Sequence, residues 1–217
     1  MKKLSVIIML LICASTFAQK KSFQFDVGLN QSWFIYDENF LNDYKTNFIP
    51  RFSISINHNF VELGDFTTSI GIRYYHLGRS TTLDFGNAHE ETARLDHYLI
   101  SLPLRIKYNV DMINTNIILN AEASYILTSN SKVPNPINNI TKERDITEEM
   151  NRLLFSVGAG VEYTFDIRGE TFGVNAIFNY TLTKIPKDGT FRDSDNQEYS
   201  WVSYQAMEIV IFLSYYF

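Results

Sequence analysis

Apolar and polar side chains alternate along most of the chain, and period two divides it into eight segments. In the last, which ends on Phe217, Met207, Ile209, Ile211, Leu213, Tyr215 and Phe217 share one face, opposite Glu208 and Ser214. Residues 22–36 set Phe23, Phe25, Val27, Leu29, Trp33 and Ile35 against Gln24, Asp26, Asn30 and Ser32. The pattern repeats over residues 48–60, 66–77, 96–109, 115–127, 153–165 and 171–182. Connections alternate in length. Residues 61–65, 110–114 and 166–170 make tight turns, whereas 37–47, 78–95, 128–152 and 183–203 are long and polar. An even number of alternating strands with short turns at one end and long loops at the other predicts an all-β fold. The expected form is an eight-stranded antiparallel up-and-down transmembrane β-barrel, a meander with short periplasmic turns and long extracellular loops.

Alternation alone does not say which face points outward, since a soluble lipocalin-like barrel turns its apolar face inward around a ligand. Three features favour lipid outside, one of them the aromatic last residue, Phe217. Aromatic side chains gather at both ends of the apolar face: Phe23, Phe66, Tyr108, Phe172, Tyr215 and Phe217 near the turns, and Trp33, Phe48, Tyr74, Tyr98, Tyr125 and Tyr180 near the loops. From Phe172 to Tyr180 is roughly 19 Å along the membrane normal at ~3.3 Å per residue and a tilt near 45°. The start of the chain has an export pattern: basic Lys2 and Lys3, an apolar stretch over residues 4–12, then Thr16-Phe17-Ala18. Cleavage is expected after Ala18, giving a signal peptide over 1–18 and a barrel domain over 19–217. The expected location is the bacterial outer membrane, reached through the periplasm. Cys13 raises a lipoprotein reading, disfavoured because Ile12 before it is bulky.

Composition narrows the chemistry. Cys13 is the single cysteine and would leave with the signal, removing disulfides, thiol nucleophiles and cysteine metal sites. Without Lys2 and Lys3, 17 basic residues face 24 acidic ones, a formal net charge of −7, which excludes a nucleic-acid partner. The polar face carries Asp26, Arg51, Arg73, Arg105, Lys107, Glu122, Glu162 and Glu208. Equal numbers of each sign in a bore wide enough only for side chains predict a plug of paired charges, with Arg105 and Glu122 the expected pair. A selective pore would show an excess of one sign, so a narrow solute channel is the alternative.

No enzyme motif and no cofactor site are expected. His89-Glu90-Glu91 lacks the second histidine of a zinc helix, and Asp96 and His97 at the mouth of the fourth strand have no nucleophile fixed beside them in sequence. An outer-membrane enzyme with a loop-rim site there is the second alternative. Arg79 and Ser80 add no chemistry. Charged loops around Lys142, Glu143, Arg144, Asp145, Glu148 and Glu149, and around Lys187, Asp188, Arg192, Asp193, Asp195 and Glu198, are read as solvated faces, the alternative being that they bind secretion-complex or surface partners, a surface glycan or divalent ions. Trp201 and Tyr204 are the expected contact anchors. The other expected partners are outer-membrane lipid and the barrel-assembly machinery, with Tyr215 and Phe217 as the membrane-insertion and assembly signal.

Tyr98-Leu-Ile-Ser-Leu-Pro-Leu-Arg-Ile-Lys-Tyr108 resembles a motif of the PorT-like outer-membrane β-barrel family. Phe155-Ser-Val-Gly-Ala-Gly-Val-Glu-Tyr-Thr-Phe165 is similar to its glycine-containing sixth strand, and Asn179-Tyr-Thr-Leu-Thr183 to the end of its seventh, where Thr181 replaces a frequent glycine. The resemblance covers the mature chain. It implies the same barrel and, from some members, assistance to protein secretion across the outer membrane. It supplies no catalytic residue.

Overall fold

The computed structural model describes residues 22–36, 45–47, 49–84, 90–135, 140–192, 198–200 and 202–217. Its strands are β1 (Phe23–Tyr36), β2 (Lys45–Asn47), β3 (Arg51–Leu63), β4 (Phe66–Asp84), β5 (Glu90–Val110), β6 (Thr115–Asn135), β7 (Ile140–Asp145), β8 (Leu153–Ile167), β9 (Glu170–Thr181), β10 (Thr190–Arg192), β11 (Glu198–Ser200) and β12 (Tyr204–Tyr216). Eight of them pair antiparallel in a closed ring, β1-β3-β4-β5-β6-β8-β9-β12 and back to β1. Closure abolishes free edges, the condition for a sheet to cross hydrocarbon. Phe23 and Phe217 close the seam by exchanging backbone hydrogen bonds of 3.0 and 2.9 Å.

The turns at one end follow from local chemistry. Ile167 and Glu170 pair across a two-residue loop in which Arg168 and Gly169 both take positive φ, 54° and 87°. That is a type I′ turn, whose twist matches the strands it joins. At this end a stacked aromatic chain runs Tyr163, Phe165, Phe172, Tyr215, Phe217, Phe23, with ring centroids 5.4–6.1 Å apart. The wall between the ends presents Leu29, Phe52, Ile72, Leu102, Leu119, Val161, Phe178 and Ile211 outward and exposed. Asp26, Arg73, Arg105 and Glu162 are buried inside. Such an inside-out distribution is stable only where the outer wall meets acyl chains.

The far end departs from the sequence reading. Residues 78–95 and 128–152 were expected as loops, yet β4, β5 and β6 run on through 19, 21 and 21 residues. β2 pairs with β4 and β7 with β6, so a sheet stands above the barrel on that side. Above the bilayer no lipid demands an apolar face, so these extensions lose the alternation while keeping the ladder. Beside them β3 draws away from β4, and side chains of β1 take over. Asn30 donates to the carbonyl oxygen of His76 at 2.8 Å, and the Ser32 hydroxyl bridges the Gly78 carbonyl and N–H at 2.8 and 3.0 Å.

Candidate functional site

The bore of the barrel gathers the chain's unusual chemistry, and its contents lie in tiers. Nearest the short turns, Lys107 donates to Glu162 at 2.8 Å, to Gln24 at 2.7 Å and to the Tyr216 hydroxyl at 2.9 Å. Tyr216 in turn hydrogen-bonds Glu162. Next, the Asp26 carboxylate accepts from Arg105 (2.9 Å), Ser55 (2.7 Å), Asn57 (2.9 Å) and Ser214 (2.7 Å). The Gln24 amide adds a fifth bond at 2.6 Å, so both oxygens are fully engaged, which is what a carboxylate removed from water requires.

The ring of Phe212 follows, with the guanidinium carbons of Arg105 and Arg73 at 5.7 and 5.5 Å from its centroid. Ile118, Ile177 and Val210 pack with it into an apolar belt on the inner wall. Gly28 makes room for Phe212, since a Cβ there would lie 2.7 Å from the Phe212 ring as well as 2.1 Å from the Ile211 carbonyl oxygen. Above the belt Arg73 bridges two acids, contacting Glu122 at 3.3 Å and forming a short pair with Glu208. Ser53 accepts from its Nε at 2.9 Å, and the Tyr75 ring, on the mouth side, lies 4.0 Å from its guanidinium carbon. Asn120 and Asn179, hydrogen-bonded at 2.9 Å, link the two acids from behind.

The top tier is apolar. Phe34, Tyr75, Leu77, Leu99, Ile126, Leu154, Tyr204 and Ala206 fill the mouth from the wall, and Ile146, Met150 and Ile185 descend onto them from the external segments. The cap is tied down by backbone bonds from Asn151 to Ile185 (2.8 Å), Ile185 to Tyr204 (2.9 Å) and Lys187 to Glu149 (2.9 Å). Its 3₁₀ turn, Thr147–Glu149, is anchored by Asp145, which accepts the Thr147 N–H at 2.8 Å and the Thr147 hydroxyl. These bonds hold the Asp145 carboxyl below its ordinary range.

The structure brings seven of the eight charged candidates into the bore and corrects two expectations about that set. Arg51 leaves the lumenal set and pairs at 2.9 Å with Asp96, which also meets His76 at 3.0 Å. Arg105 pairs with Asp26, and Glu122 with Arg73. The bore is narrow enough for inward side chains to meet across it, so neighbouring strands do not decide the partners. His97, placed at the rim by sequence, is wholly buried between the Ser129 hydroxyl (2.7 Å) and the Tyr204 hydroxyl (3.1 Å). Tyr204, expected as an exposed anchor, is likewise buried in the mouth. Trp201, Phe48, His89, Asp193, Asp195 and residues 1–21 lie outside the described residues. Sequence reasoning missed the inward apolar residues. Their signal was a break in period two, apolar triplets such as Ile117-Ile118-Leu119 and Ile209-Val210-Ile211.

A family model described as outer membrane protein beta-barrel domain matches residues 4–217. No curated protein is significantly similar to the chain. Among solved structures the chain is similar to Ail, the attachment invasion locus protein of Yersinia pestis, solved with the heparin analogue sucrose octasulfate. The identity is 13% over 90% of this chain and 98% of that one, with a TM-score of 0.47. It is similar to the outer membrane protease OmpT from Escherichia coli at 10% identity, over 92% and 98% of the two chains, TM-score 0.49. It is also similar to the outer membrane protein OprG from Pseudomonas aeruginosa at 7% identity, over 91% and 97%, TM-score 0.45.

Proposed function

This chain belongs to the outer membrane protein beta-barrel domain family, and we propose that within it the protein is a sealed, non-catalytic barrel of structural or secretion-associated role, acting through its external segments. The supporting observation is the filling of the bore. Two tiers of hydrogen-bonded ion pairs, the Phe212 belt and an apolar mouth under a tied cap leave ions no polar path of one sign to follow. The sheet above β4–β6 and the cap are then the surfaces that meet secretion-complex or surface partners. The resemblance of residues 98–108 to PorT-like proteins supports the secretion-associated form. Tyr215 and Phe217, in the aromatic chain at the closing seam, serve as the signal read by the barrel-assembly machinery.

Purified full-length protein in planar bilayers tests the sealed reading: no steady current is expected, and persistent single-channel steps would overturn it. Crosslinking in cells followed by membrane-complex purification tests the partner reading, which fails if the barrel migrates alone.

The His97–Ser129 hydrogen bond resembles the arrangement a hydrolase uses to activate its nucleophile. Both residues are fully buried beneath the cap, out of reach of lipid or peptide. A fluorophosphonate probe is therefore expected to leave Ser129 unlabelled in folded protein. Labelling abolished by His97→Ala would establish the enzymatic reading instead.

A further inference from the structure

The lipid-facing wall is not uniformly convex. Along β6 the outward positions run Ile117, Leu119, Ala121, Ala123, Tyr125, so two short side chains interrupt a row of long ones. Ala123 lies between Leu102 on β5 and Phe155 on β8. A groove of about 250 Å³ opens there, lined outward by Ile72, Ile100, Leu102, Ala123, Tyr125 and Leu153.

The ladder behind the groove is interrupted. β4 and β5 pair at Ile70–Leu104 and again at Arg73–Ser101, skipping the two positions between, where Pro103 has no N–H to donate. The groove's upper end meets charge. The Arg152 guanidinium donates to the Tyr125 hydroxyl at 3.5 Å, which holds it over the apolar lining. Its carboxylate partner, Glu148 at 2.6 Å, is 87% exposed and free to swing into water.

We propose that this groove is a binding site for one acyl chain of an outer-leaflet lipid whose phosphate-bearing headgroup is taken by Arg152. The bilayer surrounds the groove with acyl chains, and the cation stands on its loop side, where the outer-leaflet headgroups lie. An arginine fork suits phosphate oxygens better than a single exposed carboxylate does. The preferred occupant is thus an acylated lipid of net negative charge rather than a zwitterionic one, whose own ammonium group offsets its phosphate. This inference is independent of the sealed-bore reading.

Native mass spectrometry of the full chain in detergent tests it, with a bis-phosphorylated, acylated glucosamine disaccharide, phosphatidylethanolamine and the deacylated phosphorylated disaccharide as separate probes. The anionic lipid is expected to bind best and the deacylated sugar not to bind. Ala123→Phe, which fills the groove, should weaken the anionic lipid roughly tenfold. Ala176→Phe, on the outward face of β9, should leave binding unchanged. Arg152→Gln should weaken the anionic lipid about fivefold and phosphatidylethanolamine by less. Ala123→Leu replaces the phenylalanine variant if that one does not fold. Equal binding by wild type and both groove variants, phosphatidylethanolamine binding as tightly as the anionic lipid, or the soluble sugar binding as well as the whole lipid would each overturn the proposal.

Discussion

Replacing Arg73 by methionine tests the packed bore most directly. The change keeps most of the stem's volume and removes the one guanidinium shared by Glu122 and Glu208. Both acids have side chains no more than 6% exposed, and Arg73 itself is 1% exposed. Removing one partner of a buried ion pair costs about 3–5 kcal/mol, because the surviving charge is left in a poor solvent. Here two carboxylates are stranded together, and the contact with Tyr75 at 4.0 Å is lost as well. The upper part of the range, about 4–5 kcal/mol, is therefore expected. Reversible urea unfolding in lipid vesicles, followed by tryptophan fluorescence, measures it as a fall in midpoint. The triple variant Arg73→Met, Glu122→Gln, Glu208→Gln leaves no buried charge in that tier and should return to within about 2 kcal/mol of wild type. If the single variant loses less than about 1 kcal/mol and the triple regains nothing, the carboxylates are solvated and the bore is a water column.

Other outcomes follow from the cap and the belt. Ile146→Ala should loosen the cap locally by about 2–4 kcal/mol, read as faster exchange of the Asn151 and Ile185 amides with the barrel amides unchanged. Asp145 has its pKa depressed below the ordinary 3.8, so its contribution is complete above that value and is lost as pH falls through the lower folded one. Exchange of the Thr147 amide should therefore quicken only in strong acid, and Asp145→Asn should flatten that dependence. Gly28→Ala should destabilise the barrel by about 3 kcal/mol, at the upper end for overpacking, because its Cβ would also lie 2.7 Å from the Phe212 ring. An unchanged unfolding midpoint would mean that Phe212 has room to move.

The barrel was legible because lipid and bore impose opposite demands on successive residues, and β3 keeps that alternation strictly from Arg51 to Asn57. Strand ends were less legible. Ser80, Thr81 and Thr82 read as a polar loop, yet Thr81 and Thr82 pair with Thr46 and Lys45 in a ladder standing in water. The identity of the inward charges could be read from parity, whereas their partners could not. Asp26 on β1 and Arg105 on β5 meet across the bore, three strands apart around the ring. Ile146, Met150 and Ile185 are isolated apolar residues in charged surroundings, and sequence gives no distance by which to bring them to Leu99 and Leu154. Arg51 has the parity of a bore residue, and β3's departure from β4 at that level turns it toward Asp96.

The wall's uneven height gives the molecule a direction. β5 and β6, at 21 residues each, reach roughly 49 Å along the normal at ~3.3 Å per residue and a tilt near 45°. β9 and β12, with 12 and 13 residues, reach little more than half as far. The rim is therefore a parapet on one flank and a low sill on the other. In a membrane coated with sugar chains, the parapet rises through the coat while the sill stays among the headgroups. A partner sliding in the plane of the membrane meets the cap over the sill, and a soluble one arriving from above meets the crest first.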